Sequence, residues 1–459
     1  MKIAKILLIL IFLPFLSSIA FAQHDHHHDG SDSTKAEKDT MIMNIPMNMG
    51  DTVISNHSVT DMSMSHSYSL SLPMNRNGSG TAWLPDVSPM DGYTIHSNNW
   101  MLMFHGNIFL RYTSTNINNI GKVESSMWDA PNWFMGIAQR KIGTDGLFKF
   151  SLMMSFDRLT EGGDGYPLLF QSGETWKGKP IVNRQHPHDL FSELSIAYTQ
   201  RINKDIDITG YFGLPGEPAL GPVAFMHRVS SSNNPDAPLS HHWQDATHIT
   251  FGVGTLGIRL NIFRIEGSIF SGREPDENRY NFDKPTFDSY SYRFSMNPNR
   301  NFAIQFSQGF IKSPEILEPN VNITRTTASV IHSYNFMKNC KLNTTIAWGV
   351  NNKGSDHNEH SILAESNLGL SKANIYGRYE LVQKDPEELD LTGFEHDRKF
   401  NINAFTIGGN YKLTKVENVE VVVGIQGSLY IIPSDLEEEY GKNPLSAQIY
   451  IRLSPPFMN

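Results

Sequence analysis

Residues Ala373–Val382 read ANIYGRYELV. Ile375, Gly377, Tyr379 and Leu381 fall on one side of an extended chain, and Asn374, Tyr376, Arg378 and Glu380 on the other. Side chains alternate across a strand with a period of two, so this stretch makes a ribbon with one apolar and one polar face. The same pattern runs through Phe148, Phe150, Leu152, Met154 and Phe156, set between Lys149, Ser151, Met153 and Ser155. It returns in Val421, Val423, Ile425, Leu429 and Ile431, which alternate with Val422, Gly424, Gln426, Ser428 and Tyr430. About ten residues of such alternation is what a tilted strand needs to cross a bilayer.

Sixteen segments of this kind follow one another from Trp100. They cover 100–112, 132–141, 146–156, 191–201, 205–213, 248–260, 262–271 and 288–297, then 301–310, 324–336, 341–350, 361–371, 373–383, 400–412, 418–431 and 446–454. The connections alternate in length. Thr144-Asp145-Gly146, Asn203-Lys204, Asn261 and Ser371-Lys372 mark short turns, whereas 113–131, 157–190, 214–247, 272–287 and 384–399 are long. Outer-membrane barrels keep this rhythm, with short turns inside and long loops outside. The expectation is an all-β chain forming an antiparallel transmembrane β-barrel of about 16 strands in the outer membrane. An even strand count puts the N-terminal segment and the C-terminus together, in the periplasm. Trp100, Tyr112, Trp133, Phe191, Tyr211, Tyr411, Tyr430 and Phe457 stand near strand ends, where an aromatic girdle would lie.

The N-terminus reads as a secretory signal over residues 1–22. Lys2 and Lys5 precede an apolar run, Ile6–Leu16, and Ala20-Phe21-Ala22 has the small-x-small form of a cleavage site. Residues 23–98 are polar and lack periodicity, so they read as a disordered Met/His-rich periplasmic segment, with the barrel at 99–459. The net charge of -9 is spread along the chain, and no basic patch suggests a nucleic-acid partner. Cys340 is the single cysteine, so no intramolecular disulfide forms. The expected surroundings are membrane lipid and a small solute or metal ion, and a homo-oligomer fits a barrel.

The unusual residues of the barrel region lie in its long loops. Arg184-Gln185-His186-Pro187-His188-Asp189 occupies one, and His227, His241, His242, Asp245 and His248 occupy the next. Imidazole with carboxylate is a ligand set for Zn(II), Cu(II), Ni(II) or Fe(II), and His is largely neutral near pH 7. His186 and His188 project to one side of an extended segment, His241 and His242 need a turn to converge, and His248 can join from the rim. The plain alternative is that these polar loops are pinned by hydrogen bonds, with Arg228, Arg273, Glu274 and Asp276 as clamps. Strand parity places Met101, Met103, His105, Asn107, Glu193, Arg264 and Glu266 on the inner face.

The segment after the signal carries a second donor set. His24, His26, His27 and His28 precede three M-x-M pairs: Met41 with Met43, Met47 with Met49, and Met62 with Met64. Thioether sulfur suits Cu(I), and imidazole suits Cu(II), Zn and Ni. Ser192, His188 and Asp189 can be assembled on paper into a hydrolase set, but no nucleophile elbow or phosphate loop accompanies them, and no enzyme is expected.

A signal peptide, a Met/His-rich exported segment with His24–His28 and the M-x-M pairs, and then a barrel together resemble the copper-resistance B proteins of the outer membrane. The likeness is one of organisation and covers the exported segment and the barrel class. It implies copper binding or efflux across the outer membrane. The leading expectation is therefore a barrel that binds or passes a transition-metal ion such as copper. The alternatives are a general porin or small-molecule channel and, third, an outer-membrane hydrolase.

Overall fold

The computed structural model describes residues 66–118, 121–337, 340–354, 357–395 and 397–456. Much of the expected metal-gathering segment lies outside the described residues. This holds for the histidines His24, His26, His27 and His28 and for the methionines Met41, Met43, Met47, Met49, Met62 and Met64. The signal segment and Phe457 lie outside them as well.

Sixteen antiparallel strands form a closed barrel. The first eight are β1 (Trp100–Ser114), β2 (Asn132–Ile142), β3 (Gly146–Met154), β4 (Phe191–Arg201), β5 (Ile206–Gly213), β6 (Val253–Leu260), β7 (Phe263–Phe270) and β8 (Ser289–Met296). The rest are β9 (Phe302–Ile311), β10 (Ile323–Met337), β11 (Cys340–Asn352), β12 (Asn358–Leu370), β13 (Ala373–Lys384), β14 (Phe400–Val416), β15 (Val419–Ile431) and β16 (Leu445–Ser454). Each pairs with its sequence neighbours, and Ile108–Ser114 of β1 pair with Ala447–Leu453 of β16 to close the ring. Near the chain ends, Tyr93–Ser97 pairs with Trp100–Phe104 and takes over the edge that β16 leaves. Closure is what lets strands cross lipid, because every backbone group finds a partner in the next strand.

Burial is inverted relative to a water-soluble protein. Ile425 is 65% exposed and Leu256 61%, while Arg293 and Glu266 are 1% and 2% exposed. Apolar side chains face outward toward lipid, and charged ones face a filled lumen, where they pair. In β13, Ile375 faces out and Tyr376, Arg378 and Glu380 face in. Three aromatics expected in a girdle point inward instead. Tyr211 and Tyr430 are buried, and Trp133 packs on His227 inside the barrel. Their strand parity, rather than their closeness to strand ends, sets the side they face.

Two chain segments occupy the lumen. Residues 214–252 fold inward, and Arg228 donates to Glu365 on β12 (2.7 Å) and to Asp245 of its own loop (2.9 Å). Asp236 accepts from Arg111 (2.8 Å), Gln426 (2.7 Å) and Gln448 (2.8 Å) on the wall. The second segment corrects the expected boundary at 98. Residues 66–98 fall in the stretch expected to be disordered, yet they are ordered: 66–92 run through the barrel, and Tyr93–Ser97 joins its wall. Ser69 donates to Asp207 (2.6 Å), Asn297 donates to the Leu84 carbonyl (2.9 Å), and Arg293 donates to Thr81 (2.8 Å). Composition misleads here because hydrogen bonds to a polar wall add to the burial of a few side chains, Tyr68, Met74, Trp83 and Leu84, that show no periodicity along the chain. The loop between β3 and β4 also has structure. Tyr166–Trp176 and Lys179–Gln185 form a hairpin around Lys177-Gly178, both with positive φ, as a type I′ turn requires.

A histidine cluster at the long-loop end of the lumen

Five of the six loop histidines expected to converge do so. His186 and His188 follow the hairpin 166–185. His241 and His242 lie in a single helical turn, His241–Gln244, and His248 ends the turn Ala246–His248 rather than standing on a strand. The fold brings these segments together beneath the long loops, where Asn351 near the end of β11 donates to the His242 carbonyl (3.1 Å). Ring centroids are 5.5 Å apart for His186 and His242, 5.0 Å for His241 and His248, and 5.5 Å for His188 and His248. One nitrogen from each of His186, His241 and His242 lies within 4.8 Å of the others, a spacing that can hold one metal ion.

His227 does not join them. Phe225–His227 is one tight turn, so residues two apart face different ways. Phe225 stacks on His188 (6.2 Å), whereas His227 packs against Trp133 (5.0 Å) and His105 (5.7 Å).

The outer contacts of the rings follow a regular scheme. The Nδ1 atoms of His188, His241 and His248 sit 2.7 Å from Asp157, 2.6 Å from Asp245 and 2.9 Å from the Asp245 carbonyl. His242 Nδ1 faces Glu274 at 3.6 Å, and His186 Nε2 faces Glu174 at 3.2 Å. The Nε2 atoms of His188, His242 and His248 are buried and have no hydrogen-bond partner among the described residues. Holding one ring nitrogen with a carboxylate or carbonyl and leaving the other free is how metal-ligating histidines are oriented.

The two acidic residues expected as ligands take supporting places. Asp189 pairs with Arg279 (3.2 Å), and Asp245 is shared between His241 and Arg228. Glu174 and Asp157 carry that chemistry without any sequence spacing to announce them. Arg228 does act as a clamp, but Glu274 faces His242. The hydrolase set is not assembled, because His188 is held by Asp157 and the Ser192 hydroxyl donates to the Asp189 carbonyl (3.1 Å).

Burial sets the protonation of the cluster. It drives His186 and His248 well below the ordinary histidine range, and the neighbouring imidazoles add to this. Burial also lowers His241, although Asp245 opposes it. For His242 burial acts downward, but the bond and charge of Glu274 prevail and its pKa rises. Burial lifts Glu174 to about 7 against the pull of Arg279.

Beside His242 lies a cavity of about 430 Å³ whose walls carry Glu174, Glu274, Glu315, Glu318 and Glu388. Its rim includes Ile316 and Leu317, which are exposed. Burial raises Glu315 to about 7 and Glu318 to about 8, each reinforced by a neighbouring acid, Glu274 for the first and Glu387 for the second. A second trio, His357, Glu359 and Asp385, also has metal-like spacing, but Lys353 already lies 3.2 Å from Glu359 and 2.9 Å from Asp385.

No family model matches the chain, and no curated protein does. Solved structures of similar fold include an anion-selective porin from Comamonas acidovorans, at 10% identity, TM-score 0.48, covering 77% of this chain and 99% of that one. Salmonella typhi OmpF, in complex with daunomycin, is similar at 10% identity and TM-score 0.48, over 79% of this chain and 100% of that one. A loop-deleted OmpT, an outer membrane protein of Vibrio cholerae, gives 8% identity and TM-score 0.46, over 78% and 100%.

Proposed function

We propose that this protein is an outer-membrane barrel that captures a transition-metal cation at the histidine cluster and passes it along the lumen, with copper the leading candidate. The reading rests on one observation: His186, His241 and His242 each bring a nitrogen within 4.8 Å of the others, in a cluster of five buried or nearly buried imidazoles. A buried polar atom without a partner costs about 1–3 kcal/mol, and a ligand there would offset that cost at His242 Nε2. The acidic cavity beside His242 supports a cation as that ligand: Glu274 holds its charge there, and an entering cation would favour ionisation of the raised carboxyls of Glu315 and Glu318. The lumen speaks against a general porin, since two chain segments run through it. In this reading the short turns and both chain ends face the periplasm, and residues 23–65 gather metal there, as the resemblance to copper-resistance B proteins implies.

The test is Cu(II) titration of the full-length protein in detergent, followed by calorimetry, with the double variant His241→Ala/His242→Ala and a form lacking residues 23–65. The shortened form should keep one tight site that the double variant loses. Equal binding by the double variant and the parent would remove the cluster as a metal site.

A further inference from the structure

Around most of the lumen the inward wall positions are polar or charged, as with Arg264, Arg293, Thr327 and Glu365. One sector differs. On β1, β2 and β3 the inward positions include Met101, Met103, Met135 and Met153, all buried, and Met74 of the inner segment packs against them. Strand register sets Met135 opposite His105 on one side and Met153 on the other. Met90 and Met226 complete the group. Met74, Met90, Met103, Met135 and Met226 line a cavity of about 90 Å³, and His105, His227 and Trp133 share its wall. The imidazole rings lie 5.7 Å apart, and His105 Nε2 is shielded from solvent with no hydrogen-bond partner.

Elsewhere the same inner segment docks on the wall through polar contacts to Asp207, Asn297 and Ser333 and through Tyr68, Ala82 and Leu84, which pack on aromatic and aliphatic side chains. Among the described residues, only here does it meet a wall of thioethers with two imidazoles among them. Thioether sulfur is a neutral, soft donor that selects Cu(I) over harder ions. Neutral donors in an enclosed space also favour one positive charge over two, because desolvating the ion costs less. The charged residues that border the same cavity balance, Lys149 and Arg452 against Asp91 and Glu193.

We propose that this chamber is a second metal site, selective for a soft monovalent cation of the Cu(I) type. Its donors are the thioethers of Met103, Met135 and Met226 and the imidazoles of His105 and His227. The site does not depend on the histidine cluster, although one turn joins the two: Phe225 packs on the cluster and Met226 and His227 line the chamber.

The experiment uses full-length protein in detergent with methyl-¹³C methionine and Ag(I) as the stable stand-in for Cu(I). One equivalent of silver should shift the methyl resonances of Met103, Met135 and Met226 together. The double variant Met103→Leu/Met135→Leu should lower silver affinity at that site about tenfold or more, by analogy with the loss on removing even outer-sphere support. It should leave Cu(II) binding at the histidine cluster unchanged. The proposal is overturned if the chamber methyls stay fixed while those of Met41–Met64 move, or if a folded double variant binds silver like the parent. Should that variant fail to fold, the methyl titration of the parent decides, with His105→Gln/His227→Gln as the second variant.

Discussion

The histidine cluster and the methionine chamber differ in what they offer a metal and in what holds it ready. At the long-loop end the donors are imidazoles backed by Asp157, Glu174, Asp245 and Glu274, and every donor stands on a loop. In the sector of β1 to β3 the donors are mostly thioethers, and most stand on strands at positions set by register. Carboxylates beside imidazole suit a divalent ion; neutral sulfur suits a monovalent one. Loop-borne donors depend on the buried bonds that dock the loops, whereas strand-borne donors depend only on the barrel closing.

The largest expected effect comes from emptying the upper site. His186→Ala/His241→Ala/His242→Ala should abolish the tight Cu(II) equivalent seen by calorimetry while leaving silver uptake by the chamber in place. Loss of both together would mean the cluster and the chamber are not separate sites.

Arg228→Met sharpens the distinction between loop and strand support. Arg228 is fully buried between Asp245 and Glu365, and breaking such a pair leaves uncompensated charge worth about 3–5 kcal/mol. Thermal unfolding in detergent should show a loss of that order, and Cu(II) affinity should fall because His241 loses its docked loop. An unchanged melting temperature would show that the loop is held by other contacts.

Glu274→Gln tests the outer support of His242 alone. Removal of such support lowers metal affinity about 10–100-fold, so a Cu(II) dissociation constant equal to the parent's would count against the assignment. The pH dependence should be milder. Burial keeps His186, His241 and His248 neutral near pH 7, whereas His242, whose pKa is raised, has a proton to displace. Cu(II) affinity should be flat above that raised value and fall about tenfold per pH unit below it. A steeper fall would mean that several rings are charged together. The smallest effect concerns Met135→Leu on its own. A volume-conserving swap costs under about 1.5 kcal/mol, so the barrel should melt almost as the parent does even where silver binding weakens.

The fold was legible because its signals are local. Alternation places each strand, the lengths of the connections separate one rim from the other, and parity decides which side chains face inward. Met101, Met103 and His105 could therefore be assigned to the lumen from β1 alone. The site was legible in part. The close pairs His186 with His188 and His241 with His242 stand out as sequence, and so does their polar setting. Nothing in the chain links Glu174 to His186 or Asp157 to His188, because those contacts arise where a hairpin and a loop meet.

By itself the sequence determined the strand number, the inward and outward faces and the loops that carry histidine, since each depends on a residue and its near neighbours. The tertiary structure decided that residues 66–92 enter the lumen, that His227 leaves the histidine cluster, and that seven methionines meet in one sector. The physical reason is that these facts depend on pairing between distant segments. Hydrogen bonds to a wall and register across strands bring such segments together without any spacing that shows along the chain.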